Sequence, residues 1–501
     1  MGEVSSSIGR QIGVLADRYG NITHVIIGDA KGVFIPELSD YPLGRKSLRG
    51  LRLIHTHLKN EQINQDDLTD LSLLRLDTII AIGLKDGLPG NIYMAYLLPS
   101  DSGLPYEIQG PVNLYQMDMD FMDLITTVEN EMQKAQEGVF SVDDKRERAI
   151  LVSVSTGLKS EQEDSMEELK ELAESSNVMV LDTVLQRPKQ INPKYLMGEG
   201  KVKELVINAL QKGATLLIFD QDLSPSQIKA IGDITELKVI DRSQLILDIF
   251  ARRAHSRDGK VQVELAQLRY RLPRLTGKGT AMSRLMGGIG GRGPGEMKLE
   301  VDRRRVRDRI GLLERELESL SRARQQRKAR RAEMDIPIVS IIGYTNAGKS
   351  TLLNNLTKSS TFVEDKMFAT LDTASRRLRF PRERDIIITD TVGFIRDLPE
   401  DLFTAFRATL EELQDADLLI HLVDISSPRF EQHIASVEKI LEALGLSEKD
   451  RILIFNKEDR VDSEEATFVC KRFNAISISA LKPETFFRLL KVIETKLWPS
   501  S

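Results

Sequence analysis

Short apolar runs of strand length alternate with longer polar and amphipathic stretches along much of the chain. ITHVIIGD (22–29) and TIIAIGL (78–84) have the length and apolar character of strands, so residues 1–145 predict a mixed α/β unit. Within this unit, the stretch 104–111 predicts a loop. Residues 134–149 are mostly polar and predict a linker to the next domain.

Residues 146–255 alternate strand and helix patterns at short intervals. AILVSVS (149–155) and ATLLIFD (214–220) are apolar runs of strand length, and helical segments lie between such runs. Alternation of this kind is typical of a parallel sheet. The segment therefore predicts a small parallel α/β subdomain.

Residues 256–335 carry a helical pattern on both sides of a glycine-rich stretch. The segments 261–275 and 297–331 have the length of extended helices, and 276–296 between them is rich in glycine. The apolar positions of the second segment recur at spacings of three and four, as on one helix face, and are Val306, Ile310, Leu313, Leu317 and Leu320. The pattern predicts an antiparallel helical hairpin with a glycine-rich tip.

A basic block coincides with this hairpin. The chain has a net charge of −5, yet residues 251–335 contain 23 Lys and Arg against 11 Asp and Glu, a net charge of +12. The other residues therefore sum to −17. A basic block inside an acidic chain favours a polyanion partner, and the glycine-rich tip favours nucleic acid over a merely solvated helical surface.

The composition is that of a globular protein of several domains, with 501 residues, 41% hydrophobic and 29% charged. No apolar run approaches the roughly 20 residues that span a bilayer, so no membrane partner is expected. The single cysteine, Cys470, excludes an internal disulfide and fits a reducing cytoplasm. We therefore expect a cytoplasmic protein, with a monomer as the default.

A phosphate-binding motif follows the basic block. Residues 343–350 fit G-x-x-x-x-G-K-[ST] and join an apolar strand to a helix. Gly343 and Gly348 permit a backbone shape whose N–H groups face phosphates, and the helix N-terminus adds its positive end. Lys349 is predicted to reach the β- and γ-phosphates, and the Ser350 hydroxyl to ligate Mg²⁺.

A second phosphate motif lies 40 residues further on. The apolar run DIIITDTVGF (385–394) ends in D-x-x-G, which is weak alone but strong at a strand end after a P-loop. Asp390 is predicted to join the Mg²⁺ shell through water. The Gly393 N–H is predicted to bond the γ-phosphate and so to sense its presence.

A third motif selects the base. N-K-x-D at 456–459 places the Asp459 carboxylate to accept two hydrogens from the N1 and N2 edge of guanine, a donor pair that adenine lacks. Lys457 is predicted to pack over the base, and the Ser479-Ala480 turn to offer a backbone N–H to guanine O6. Three motifs in this order predict a magnesium-dependent GTPase.

Two features bear on GTP hydrolysis: the threonine that completes the magnesium site and the residue that follows D-x-x-G. DKMFATLDTASRRL (365–378) should supply a threonine that ligates Mg²⁺ and contacts the γ-phosphate; we favour Thr370, with Thr373 as the alternative. Phe394 follows D-x-x-G, where many small GTPases carry a glutamine that orients the attacking water. A phenyl ring cannot do that, so we expect slow intrinsic hydrolysis that a partner stimulates.

These motifs together predict a complete nucleotide site. The catalytic contribution is assigned to Lys349, Thr370 and Gly393, and the metal ligands are Ser350, Thr370 and, through water, Asp390. The predicted contacts to GTP are Gly343, Tyr344, Thr345, Asn346, Ala347, Gly348, Lys349, Ser350, Thr351, Phe368, Ala369, Thr370, Leu371, Asp372, Asp390, Thr391, Val392, Gly393, Asn456, Lys457, Glu458, Asp459, Ser479, Ala480 and Leu481.

At this point the chain resembles the HflX GTPases of the Obg–HflX group. The resemblance is carried by the GTP-binding motifs together with YLMGEGKVKEL (195–205), IFDQDLSPSQ (218–227) and the segments 239–275 and 287–310. It covers about 146–497, so the N-terminal extension is additional to the common architecture. It implies an α/β subdomain, a helical hairpin and a GTPase domain. Together with the patterns above, the expected domains of this α/β multidomain protein are 1–145, 146–255, 256–335 and 336–498.

The resemblance also implies a partner and a role. It implies binding to the large ribosomal subunit, with the hairpin loop near the peptidyl-transferase centre, and dissociation of stalled or stressed ribosomes in the GTP state. Hydrolysis stimulated by the ribosome is implied as well. The expected rRNA contacts in the basic block are Arg292, Arg303, Arg304, Arg305, Arg307 and Arg309. The family commonly has proline where this chain has Thr373, which bears on the choice of switch threonine.

Two further patterns suggest other chemistry. Residues 288–293 fit G-x-G-x-x-G but lack a preceding strand, so a flexible loop is favoured over a dinucleotide site. His55 and His57, followed by Asp66 or Asp67, resemble the zinc site of JAB/MPN-type metalloproteases. The proline and serine of that pattern are missing and its spacing is short by one, so a degenerate, metal-free relative, or no relation, is favoured.

Three classes of function remain open. The first is a ribosome-binding GTPase switch, cytoplasmic and partly ribosome-associated. The second is a peptidase or isopeptidase in the N-terminal unit, for which His55 and His57 are the only evidence. The third is a GTPase that acts through its basic hairpin on another RNA or on a protein client.

Overall fold

The computed structural model describes most of the chain in two compact units. One unit comprises Met1–Met166 with Asn177–Ile240, and the other Glu167–Ser176 with Asp241–Ser501. The described residues are 1–38, 40–43, 47–99, 105–113, 120–137, 146–275, 294–332, 336–357, 374–380, 384–391, 393–396 and 411–499. No helix within these ranges is both long enough and apolar enough to cross a membrane.

The first unit opens with a six-stranded mixed sheet in the order β2-β1-β3-β4-β5-β6. Its neighbouring strands are antiparallel except β3 and β4, which run parallel and are connected through helix α2. The elements are α1 (Gly2–Ile8), β1 (Ile12–Asp17), β2 (Ile22–Ile27), β3 (Leu51–His57), α2 (Gln65–Leu74), β4 (Thr78–Lys85), β5 (Leu88–Leu97), β6 (Tyr106–Val112) and α3 (Phe121–Glu137).

The mixed α/β prediction for this segment is confirmed, but one assignment inside it is wrong. The stretch 104–111, predicted as a loop, contains most of strand β6, which pairs with β5. Strand β6 lies at the edge of the sheet and is largely exposed. An edge strand tolerates proline and glycine and needs few apolar residues, so the hydrophobic pattern does not reveal it.

A four-stranded sheet follows, in the order β10-β9-β7-β8. Strand β7 pairs parallel with both β8 and β9, which confirms the predicted parallel sheet. Helix α6 begins with a capping box in which Ser224 and Gln227 bond each other's backbone N–H. The elements are β7 (Arg148–Val154), α4 (Lys159–Ser175), β8 (Met179–Gln186), α5 (Glu199–Gln211), β9 (Leu216–Phe219), α6 (Pro225–Gly232) and β10 (Lys238–Asp241).

The helical part of the second unit consists of α7 (Arg242–Arg253), α8 (Arg257–Arg271), a 3₁₀ turn (Leu272–Arg274) and α9 (Pro294–Ala332). Helices α8 and α9 pack together through the apolar face that the spacing predicts. The cluster between them contains Val261, Leu265, Leu268, Ile310, Leu313, Leu317 and Leu320. The two predicted long helices and their packing are therefore confirmed, whereas the glycine-rich connection lies outside the described residues.

The last domain is a six-stranded sheet in the order β12-β13-β11-β14-β15-β16. All its neighbouring pairs are parallel except the edge pair β12 and β13. The elements are β11 (Ile338–Gly343), α10 (Lys349–Thr357), β12 (Ala374–Arg379), β13 (Asp385–Asp390), β14 (Leu418–Asp424), α11 (Phe430–Ala443), β15 (Arg451–Asn456), α12 (Ser463–Phe473), β16 (Ile476–Ser477) and α13 (Phe486–Leu497). The three nucleotide motifs all follow the carboxyl ends of strands, where open α/β sheets bind their ligands.

Candidate nucleotide-binding site

The loop between β11 and α10 requires glycine at both of its ends. A Cβ on Gly343 would lie 2.2 Å from the Leu422 carbonyl oxygen, and a Cβ on Gly348 would lie 2.3 Å from Nδ2 of Asn456. A side chain at position 343 would require strand β14 to move, and one at position 348 would displace the buried Asn456 side chain. Gly348 also has φ +92°, a conformation that favours glycine. The two glycines thus fix the phosphate loop closely against β14 and β15.

The Lys349 side chain is buried inside the phosphate loop and is fixed there by hydrogen bonds. Its Nζ donates to the carbonyl oxygens of Gly343 at 3.0 Å and of Tyr344 at 2.8 Å. The side chain is only 6% exposed. Burial lowers the pKa of Lys349 to about 8, against the opposing influence of Asp390. An ammonium group that is short of counter-charge in the empty site is well placed to receive phosphate oxygens.

This low pKa predicts proton uptake on nucleotide binding. With a pKa of about 8, Lys349 should be partly deprotonated in the empty protein at pH 8, and bound phosphates should raise its pKa. Binding at pH 8 should therefore take up about half a proton from the buffer, and GTP affinity should fall as pH rises beyond 8. Calorimetric titration in buffers of different ionisation enthalpy measures the uptake. Equal heats in all buffers at pH 8 would contradict this assignment.

The magnesium residues predicted from the motifs meet at the start of α10. The Ser350 hydroxyl donates to Oδ2 of Asp390 at 2.7 Å, and Asp390 is 1% exposed. Gly393 lies beside them, because a Cβ built on it would be 3.1 Å from Nζ of Lys349. The P-loop and D-x-x-G motifs therefore converge on one point, as the sequence predicts.

Phe394 is buried in the phosphate loop itself. Its N–H donates to the Gly343 carbonyl at 3.1 Å, and its carbonyl accepts from the Thr345 N–H at 2.8 Å. The residue is 3% exposed. The backbone of Phe394 therefore anchors the D-x-x-G segment to the phosphate loop, and its phenyl side chain offers no polar group to an attacking water.

Tyr344 makes contacts that the sequence does not predict. Its ring stacks on His433 with centroids 4.0 Å apart, and its hydroxyl bonds Glu168 and accepts from the Arg396 N–H at 2.8 Å. Arg242 in turn donates to Glu168 at 2.6 Å. Tyr344 thus connects the phosphate loop to the segment after D-x-x-G. No motif marks Glu168, which lies in a segment with an ordinary helical pattern, and the family segment 239–275 contains Arg242 without indicating this contact.

The base-recognition motifs are joined to the phosphate loop through Asn456. Its Nδ2 donates to the Ala347 carbonyl at 2.8 Å, and its Oδ1 accepts from the Ala480 N–H at 2.8 Å. Because Asn456 is buried, this pair of bonds fixes the distance between the phosphate end and the base end of the site. The asparagine therefore holds the loops together.

Asp459 lies at the exposed end of this arrangement. The adjacent Ser479 side chain lowers the pKa of Asp459 below its usual value, which keeps the carboxylate ionised and able to accept hydrogen bonds. Lys457 is fixed by an ion pair with Asp424 at 2.7 Å. The carboxylate of Glu458 is engaged by other residues, Ser477 and Arg488, so its side chain is directed away from a base-reading role.

Several predicted site residues cannot be placed. Residues 358–373 and 392 lie outside the described residues, and so does the pattern at 288–293. Both candidates for the switch threonine, Thr370 and Thr373, therefore remain predictions, as do Phe368, Ala369, Leu371, Asp372, Val392 and Arg292. Thr351, Thr391 and the exposed Leu481 lie where the motifs place them, after the P-loop, in D-x-x-G and in the turn after β16.

The arginines of α9 fall into two groups. Arg303 donates to the Leu275 carbonyl at 3.0 Å, and Arg309 pairs with Glu264 at 2.7 Å, so both hold α9 to the rest of the hairpin. Arg304 and Arg307 are exposed and have no ion pair within the described ranges. Arg305 is exposed and only 3.9 Å from Asp302. Three of the predicted RNA contacts are thus available to a partner, and two are engaged within the hairpin.

The N-terminal histidines also meet a carboxylate. Of the two candidates, Asp67 lies beside both His55 and His57, at 3.3 and 3.2 Å from their Nε2 atoms. Asp66 does not take part in this cluster. All three members of the cluster are buried.

Family models match three consecutive segments of the chain. Residues 163–251 match a GTP-binding GTPase N-terminal region, and residues 253–331 match a GTP-binding GTPase middle region. Residues 338–457 match a family described as 50S ribosome-binding GTPase. The last match contains the phosphate loop, D-x-x-G and the first residues of N-K-x-D.

Curated relatives align with about two thirds of the chain. The GTPase HflX of Caldanaerobacter subterraneus is 48% identical over 353 residues, which are 70% of this chain and 81% of that protein. The GTPase HflX of Escherichia coli is 42% identical over 322 residues, 64% of this chain and 75% of that protein. A solved GTP-binding protein from Sulfolobus solfataricus in complex with GDP is 27% identical, covering 71% of this chain and 100% of that chain, with a TM-score of 0.39.

Proposed function

The chain belongs to the HflX family of GTPases, and from that premise we propose that it acts on ribosomes. In this proposal it binds GTP with Mg²⁺, associates with the large ribosomal subunit through Arg304, Arg305 and Arg307 of α9, and dissociates stalled or stressed ribosomes in the GTP state. The observation that carries the proposal is the exposed group Arg304, Arg305 and Arg307 in a chain with a complete guanine-nucleotide motif set.

The residues at the phosphate end fit a magnesium ion. Ser350 and Asp390 offer a hydroxyl and a carboxylate within 2.7 Å of each other, and Mg²⁺ prefers such oxygen ligands. Thr370 or Thr373 would complete the protein ligands in the triphosphate state. When bound, Mg²⁺ neutralises charge that develops on the phosphates.

The protein's own groups bind and orient the nucleotide. Lys349 and the N–H groups of the phosphate loop hold the β- and γ-phosphates, and Asp459 accepts hydrogens from the guanine edge. Phe394 is buried against Gly343 and cannot position water. The isolated protein is therefore expected to hydrolyse GTP slowly. The ribosome is expected to supply a polarising group, or to order a loop that positions the attacking water.

The surface of α9 suits an RNA backbone. Arg304 and Arg307 are three residues apart, so their side chains leave the same face of the helix. Guanidinium groups bind phosphate through two parallel hydrogen bonds, and each such contact releases counter-ions. The matched description as a ribosome-binding family supports rRNA as the polyanion rather than another RNA or a protein client.

The test compares GTP turnover of full-length protein alone and with purified large ribosomal subunits. We expect stimulation by the subunits. In the double variant Arg304→Ala/Arg307→Ala, half-maximal stimulation should need at least about tenfold more subunits, and the slope of log affinity against log salt should fall by about 1.5. Nucleotide affinity without ribosomes should be unchanged, because neither arginine belongs to the GTP motifs.

Arg315→Ala is the matched control, since Arg315 is an exposed arginine of the same helix that lies outside the group. It should behave as wild type. Equal stimulation of the double variant and wild type would show that Arg304 and Arg307 do not contribute to ribosome binding. Stimulation by protein-free RNA but not by subunits would instead favour a GTPase that acts on another RNA. Splitting of intact ribosomes with a GTP analogue but not with GDP then tests the dissociation role.

A further inference from the structure

Two histidines and an aspartate converge at one buried point of the N-terminal sheet. Strand β3 ends with His55-Thr56-His57, and alternation along a strand places both imidazoles on one face. Helix α2 begins shortly after the strand and brings Asp67 in its first turn. The parallel pairing of β3 with β4 sets the direction of this connection.

The Asp67 carboxylate is fixed before any ligand arrives. Asn64 caps α2 by accepting from the Asp67 N–H at 2.9 Å, and Oδ2 of Asp67 accepts from the Asn64 N–H at 3.0 Å. The capping box leaves Oδ1 of Asp67 directed at His55. Because the box is formed by local residues, the position of this carboxylate depends on the helix start and does not require the histidines.

The distances within the cluster suit a metal ion. The two Nε2 atoms are 2.8 Å apart, and they lie 3.3 and 3.2 Å from the oxygens of Asp67. Ligand atoms about 2.05 Å from a tetrahedral zinc ion are separated by about 3.3 Å. All donor atoms of the cluster lie within 4.8 Å of one another, and the three residues are at most 7% exposed.

The hydrogen-bond chemistry of the cluster is unbalanced without a cation. Neither Nδ1 atom has a hydrogen-bond partner within the described residues, so the polar contacts of both rings are at Nε2. If both rings carry their proton on Nδ1, two nitrogen lone pairs and a carboxylate face one another in a buried space. A divalent cation at that point would bind both nitrogen lone pairs and the carboxylate, and so would remove the repulsion between them.

We propose that His55, His57 and Asp67 bind a zinc-class divalent cation through both Nε2 atoms and the Asp67 carboxylate. Two imidazoles and one carboxylate favour zinc over magnesium or calcium, which prefer all-oxygen sites. Three protein ligands leave one tetrahedral position for water or a small ligand. This revises the expectation of a metal-free relative, which rested on missing motif residues that the folded geometry does not need.

The experiment uses the full chain, freed of metal by a chelator, dialysed and titrated with zinc chloride. We expect one zinc ion per chain by elemental analysis after removal of excess metal. Asp67→Asn, which keeps an oxygen for the capping box, and His57→Gln should each lower zinc affinity by more than about 100-fold in competition with a chromophoric chelator. Cobalt substitution should give the visible spectrum of a tetrahedral site in wild type.

His24→Gln is the matched control, because His24 is a histidine of the same sheet outside the cluster. It should bind zinc as wild type does. GTP affinity and circular dichroism of each variant report on folding, and a variant that fails either is replaced by His55→Gln. Wild type that binds no zinc at micromolar concentration, or whose binding survives Asp67→Asn and His57→Gln, overturns the proposal and leaves a buried cluster of two histidines and a carboxylate.

Discussion

Replacing Lys349 by alanine should lower the affinity for GTP by about 100- to 1,000-fold, the equivalent of losing about 3–4 kcal/mol of charge-assisted hydrogen bonds. The wild-type ammonium is already positioned, with bonds of 3.0 and 2.8 Å to two loop carbonyls, so little ordering is needed when phosphates arrive. GTP hydrolysis should be lost with binding. Titration with a fluorescent GTP analogue measures the affinity.

The Lys349→Ala variant should nevertheless fold. Burial lowers the pKa of Lys349, which means that the charged form is disfavoured in the empty protein, so its removal should leave the Tm equal or higher. Lys491→Ala, which removes an exposed lysine of α13, is the control and should bind GTP normally. A Lys349→Ala variant that binds GTP within about threefold of wild type would contradict the assignment of the phosphate end.

Replacing Asp459 by asparagine should reverse the base preference. In the proposed site the carboxylate accepts two hydrogens from guanine, whereas the asparagine amide would present a donor to one of them, so GTP affinity should fall by about 100-fold or more. Xanthine carries an oxygen in place of the guanine amino group and accepts that donor. The variant should therefore bind xanthosine triphosphate more tightly than GTP, as competition with a fluorescent analogue will show.

Asp462→Asn is a close control for this exchange. Asp462 is an exposed aspartate three positions further on, and its side chain makes no capping bond to α12. The control should keep the wild-type preference for GTP. Retention of that preference by Asp459→Asn would mean that a group other than the N-K-x-D aspartate recognises the base. The assignment of Asp459 to guanine would then be wrong.

The sequence predicts which residues gather at the carboxyl ends of the strands because each motif is local. Gly343, Lys349, Asp390 and Asn456 each lie within a short strand–loop segment, and parallel strands bring their carboxyl ends together. The contact between Tyr344 and Glu168 joins positions 176 residues apart and has no local signature. Such contacts depend on packing, which periodicity does not specify.

In the N-terminal cluster, too, the sequence predicts the local features but not the contact that depends on packing. The capping box of Asn64 and Asp67 is readable from the sequence, as is the alternation of His55 and His57. Which aspartate reaches the histidines depends on how α2 lies against the sheet. The sequence lacks the proline, the serine and the spacing of the metalloprotease pattern, whereas the fold brings Asp67 to both histidines at a different spacing.

The most direct test of the account is co-sedimentation of wild-type protein with purified large ribosomal subunits, with a non-hydrolysable GTP analogue, with GDP and without nucleotide. Nucleotide-controlled binding requires both the guanine site and the arginines of α9 to work in one molecule. The account predicts that the protein pellets with subunits in the GTP-analogue state far more than in the other two states, and that added salt releases it. Equal pelleting in all three states, or none in any, would contradict it.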